Sequence, residues 1–110
     1  MEELEKKARL LQSEGNICSY SLNKAFLSKY NISEEFPKPR SVDGKCGALL
    51  TTEKILKELN KDTYINEYEE YFLKEFGSLK CVDILKLGKR CNDCVGLSAR
   101  YIENVLNKKS

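Results

Sequence analysis

Residues 43–59 read DGKCGALLTTEKILKEL, and the spacing of their apolar positions decides the fold class. Cys46, Leu49, Leu50, Ile55, Leu56 and Leu59 share one side of a helical period, with Lys and Glu between them. A strand with one buried face would alternate apolar and polar residues, and this stretch does not. The stretch predicts an amphipathic helix entered through Lys45-Cys46-Gly47-Ala48, and the cysteine at its mouth raises the question of function.

The same period recurs on both sides. Leu4, Ala8, Leu10 and Leu11 predict a helix over 2–14 that stops at Gly15. Asn16 reads as the N-cap of a second helix carrying Cys18, Leu22, Ala25, Phe26 and Tyr30 along one stripe, ended by Asn31. Residues 33–45 (SEEFPKPRSVDGK) break the pattern with Pro37 and Pro39 and form the one long loop. Beyond residue 60, Asp62 or Thr63 caps a fourth helix, with Tyr64, Ile65, Tyr68, Tyr71, Phe72 and Phe76 on a broad face and Gly77 closing it. A short helical piece follows over 79–87. The last helix, 90–107, places Cys91, Cys94, Val95, Ser98, Ile102, Val105 and Leu106 together. These readings predict an all-α single-domain bundle of about five main helices spanning 1–110.

Bulk properties narrow the functional classes. A net charge of +2, with acids and bases interspersed, lacks the clustered cations of a nucleic-acid footprint. No apolar run reaches the roughly 18 residues that a membrane span requires. The N-terminal MEELEKKARLLQSEG carries no apolar core of a secretory signal, so the expected compartment is cytoplasmic. There, clustered cysteines more often serve metal or redox chemistry than structural disulfides.

The five cysteines are Cys18, Cys46, Cys81, Cys91 and Cys94. The predicted helices put the first four within the opening turn of a helix, where free N–H groups and the dipole favour a thiolate. Lys45, Lys80 and Arg90 each precede one of them and add positive charge. Cys91-Asn92-Asp93-Cys94 is a C-x-x-C whose sulfurs lie on one side of a helix. A thioredoxin-like site needs a βαβ setting that the pattern lacks. Val95 and the absence of any histidine exclude c-type haem attachment at this motif, Cys/His zinc sites and imidazole general-base chemistry. A zinc ribbon expects a second C-x-x-C. An iron–sulfur cluster fits the thiol count, although gaps of 28, 35 and 10 positions are far from its usual tight spacing. Each cysteine alone also reads as a small core hydrophobe. No P-loop is present, and Glu69 and Glu70 are neighbours whose side chains diverge on a helix.

The cysteine order resembles the C-GCAxxG-C-C family, proposed to be redox-active and marked by four recurring cysteines and a C-G-A-x-x-G segment. The likeness runs over most of the chain. KKARLLQSEGNICSYSLNKAFLSKYNI carries over Cys18, and DGKCGALLT carries over Cys46, Gly47 and Ala48. FGSLKCVDIL carries over Cys81, and KRCNDCV carries over Cys91. Thr51 stands where the family motif closes on glycine, prolines replace expected glycines in the loop before Cys46, and Cys94 is an extra cysteine. The resemblance implies redox activity through Cys18, Cys46, Cys81 and Cys91, by thiol–disulfide exchange or electron transfer with a redox partner. The alternative is a metal-binding module, the same four thiolates and Cys94 holding zinc or an iron–sulfur cluster. A third reading is a structural interaction domain with inert cysteines. The tyrosine-rich fourth helix is either half-buried core or a candidate homodimer face.

Overall fold

Helical spacing of apolar residues carries through to the three-dimensional fold. The computed structural model describes residues 3–36, 38 and 44–107. The helices are α1 (Glu3–Ser13), α2 (Cys18–Leu27), α3 (Gly47–Glu58), α4 (Ile65–Phe76), α5 (Cys81–Lys86) and α6 (Cys91–Asn107), with a single 3-10 turn at Asp62–Tyr64. Among the described residues there is no strand, only an isolated antiparallel bridge between Lys45 and Lys80. The all-α reading holds, but the α-helices among the described residues number six rather than about five, because the short piece around Cys81 closes its own α-helical turns. Pro37, Pro39 and Asp43 of the long loop lie outside the described residues.

Helix α6 is the hub and touches α1, α2, α3 and α4. Its buried Val95, Ala99 and Ile102 meet Leu4 and Ala8 of α1, Leu22 and Phe26 of α2, Leu49 and Ile55 of α3, and Phe72 of α4 in one core. Burying each large side chain contributes roughly 1.5–3 kcal/mol, and the contiguous cluster is what holds these short helices folded. The Cα radius of gyration, 12.5 Å, matches the ~13 Å expected for one compact domain of this length.

Polar contacts seal the α1–α6 seam. The Glu5 carboxylate takes bonds from Arg9 Nε (3.0 Å) and from Arg100 Nε and Nη2 (3.1 and 3.0 Å). Arg9 also reaches Asn92 Oδ1 at 2.9 Å, crossing Gly96, where a Cβ would collide with the guanidinium. The backbone N–H of Glu5, in the first turn of α1, is received by Glu103 Oε1 at 3.2 Å.

Several boundary expectations are corrected. Asn16 does not cap α2. Its Nδ2 donates to Leu11 O at 2.8 Å and closes α1 instead, and the cap position of α2 is Ile17. Helix α2 ends at Leu27 rather than Asn31, and α3 starts at Gly47 rather than before it. Asp62 opens the 3-10 turn and caps nothing with its side chain. Gly15 and Gly77 do stop their helices, with φ of 101° and 76°. On α4, Tyr68, Phe72 and Phe76 are buried as predicted, whereas Tyr71 is exposed. Leu10 of α1, placed on the apolar face by spacing, is 59% exposed.

Candidate functional site: a cysteine cluster at four helix starts

Cys18, Cys81 and Cys91 are the first residues of α2, α5 and α6, and Cys46 occupies the cap position of α3. Backbone pairing explains how two of these starts meet. Cys46 N–H donates to Leu79 O at 2.9 Å, and Cys81 N–H donates to Gly44 O at 3.1 Å. This two-bond bridge pins the mouths of α3 and α5 side by side, with Gly44 at φ 73° making the turn into it.

The sulfurs then form an ordered chain. The Cys18 thiol interacts with that of Cys46, and the Cys46 thiol with that of Cys94. All five cysteines carry thiols. Cys46 and Cys94 are each 1% exposed, Cys18 is 6% and Cys81 7%, and Cys91 alone is not buried. An open groove of about 440 Å³ runs past the cluster, lined by Cys18, Cys81 and Cys91 with Ile17, Leu85 and Asn16 among its walls. Cys46 and Cys94 lie behind that wall, and Cys18 belongs to both the groove and the buried chain.

The electrostatics differ from the thiolate expectation. The interaction with Cys46 and burial push the Cys18 thiol far up, while the N–H groups of Ala48 and Ser19 act against them. At Cys46, the interaction with Cys18 pulls the thiol down, but that with Cys94 and burial outweigh it, and the group is pushed up to about 12. The helix-start amides do aim at the sulfurs, as the Ala48 N–H does at both. Crowding three thiols into one dry place costs more than those amides return. Nor does Lys45 serve Cys46. Its ammonium lies 4.0 Å from Glu69 Oε2 and acts on Glu53.

Around the chain lies a buried polar layer. Tyr68, fully buried, shares a 2.6 Å hydrogen bond with Ser98 Oγ, so its hydroxyl is not wet. Burial raises the Tyr68 phenol well above its ordinary range. Thr51 is fully buried and its hydroxyl has no partner, nor does that of Ser19, while the Thr52 hydroxyl faces the Tyr68 phenol. Glu69, read from sequence only as a neighbour of Glu70, instead meets Glu53 from α3. Burial first, and then the hydrogen bond with Glu69, raise the Glu53 carboxyl to about 7.

The structure places Cys18, Cys81 and Cys91 on one groove, and Cys46 beside both Cys18 and Cys94. The C-x-x-C spacing was the signal for Cys94: one helical turn separates the partly exposed Cys91 from the buried Cys94. Among the described residues, no three or more Cys, Asp or Glu side chains stand in a metal-holding arrangement, and no helix is long and apolar enough to cross a membrane. Comparison with family models, with curated proteins and with solved structures gives no match.

Proposed function

We propose that the chain is a small cytoplasmic redox protein that exchanges electrons with a partner through its clustered thiols, by thiol–disulfide exchange. The observation that carries the reading is the placement of Cys18, Cys81 and Cys91 along one groove, with Cys18 neighbouring the buried Cys46 and Cys46 neighbouring Cys94. Neighbouring thiols on different helices need little backbone movement to bond, the first requirement of a reversible disulfide. The likeness of the cysteine pattern to the C-GCAxxG-C-C family points the same way.

In the proposed step, the partly exposed Cys91 attacks a partner disulfide as its thiolate. One partner thiol leaves, and a second groove cysteine displaces the other. The protein gains a disulfide and the partner is reduced to two thiols. Thiol counting in denaturant, before and after exposure of the reduced protein to a disulfide, tests this. Metal content and visible absorbance are measured on the same anaerobic preparation. Paired loss of thiols with no metal supports exchange. Stoichiometric metal with shielded thiols replaces it with the zinc or iron–sulfur reading. Unreactive thiols without metal leave a structural helical domain.

A further inference from the structure

We propose that four of the five cysteines form an inward disulfide relay, in which Cys91 receives the oxidising equivalent at the groove and Cys18 and Cys46 pass it to a resting disulfide between Cys46 and Cys94. The proposal rests on the thiol-exchange reading and adds a direction and a terminus to it. Three observations carry it. Exposure falls in the order Cys91, Cys18, Cys46, with Cys94 as buried as Cys46. Cys18 lines the groove and also interacts with the buried Cys46. Cys91 and Cys18 line the same groove, and Cys46 interacts with both Cys18 and Cys94, so the two inner transfers run between neighbouring thiols.

Each step balances. Cys91 attacks a small disulfide, expelling one thiol, and Cys18 attacks the Cys91 sulfur, expelling the second. The probe leaves as two thiols, and a Cys91–Cys18 bond remains. Cys46 attacks the Cys18 sulfur, and Cys91 departs and takes a proton. Cys94 then attacks the Cys46 sulfur, and Cys18 departs with the proton that Cys94 gives up. The net change is two protein thiols oxidised for one external disulfide reduced.

The terminus follows from the setting. A disulfide is apolar and has no donor to satisfy, so it suits a dry site better than two thiols competing for each other's lone pairs. Burial also shields it from external thiols, so return of the equivalent must pass back through Cys18.

The test treats the reduced full chain with a limiting amount of bis(2-hydroxyethyl) disulfide, quenches at intervals, alkylates and maps the peptides. Cleavage before Asp93 separates Cys91 from Cys94. The relay predicts an early hydroxyethyl adduct on Cys91 and a late Cys46–Cys94 disulfide. Cys18→Ala should keep the adduct and slow the late disulfide at least tenfold, an order-of-magnitude expectation for removing the sulfur that attacks in the middle step. Should that variant fail to fold, the time order in the unaltered chain decides alone. Oxidation confined to Cys18, Cys81 and Cys91 with Cys46 and Cys94 still alkylated overturns the relay and leaves thiol exchange standing. Absence of any adduct or disulfide overturns both.

Discussion

At the scale of single residues, the site is shaped by small polar groups as much as by sulfur. Thr51 occupies the place where the resembled motif has glycine, and it is fully buried with an unpartnered hydroxyl. A desolvated hydroxyl with no bond is a cost that a methyl group does not carry. Thr51→Val should therefore stabilise the fold by about 1 kcal/mol, measured by urea denaturation with the m-value unchanged. A loss of stability would mean that the Thr51 hydroxyl finds a partner in solution. The placement of four cysteines at helix starts was legible, because helix starts can be read from local spacing. Their protonation was not. What raises Cys18 and Cys46 is contact between sulfurs far apart in sequence, which no local rule reports. Cys94 stood apart for a related reason: spacing puts it near Cys91, but only packing puts it against Cys46.

At the scale of elements, the helices themselves were legible and their ends less so. Long amphipathic runs fix α1, α2, α3, α4 and α6 through one strong periodic signal each. Ends depend on single side chains with rival uses, as Asn16 illustrates by bonding back to α1. The backbone bridge that joins the mouths of α3 and α5 has no sequence signature at all, being two bonds between loops. Gly77 lies between α4 and that bridge, with φ 76°, and a Cβ there would stand 3.2 Å from Leu87 Cδ1. Left-handed backbone costs an L-residue roughly 1–2 kcal/mol. Gly77→Ala should lose about that much stability. If the bridge positions Cys81, the same variant should also lower the reactivity of the groove thiols toward a disulfide. Unchanged stability would show that the turn has other conformations open to it.

For the whole molecule, the carboxyl pair of Glu53 and Glu69 sets a pH dependence. Glu53, raised to about 7 from an ordinary 4.5, holds more protons folded than unfolded between those values. Stability from this group is complete below about 4.5 and is lost as pH rises toward 7. Glu53→Gln should flatten that fall and raise stability above neutral pH by about 1 kcal/mol, a figure reduced for solvent screening. Glu5 acts with the opposite sign. Arg100, ahead of Arg9, lowers its carboxyl, so its contribution is present above the ordinary carboxylate range and is lost as acid protonates it. Denaturation midpoints followed from pH 4 to 8 separate the two, the Glu53 slope alone disappearing in the glutamine variant. Three helix starts, those of α2, α5 and α6, bring Cys18, Cys81 and Cys91 to one groove although their sequence positions are scattered. The most direct measurement is a redox titration of the intact chain in glutathione buffers of graded poise, with thiols alkylated in denaturant and counted by mass at each step. Clustered working thiols predict that alkylation falls in pairs over a defined span of poise, reversibly and without intermolecular cross-links. Full alkylation of all five cysteines at every poise would contradict it.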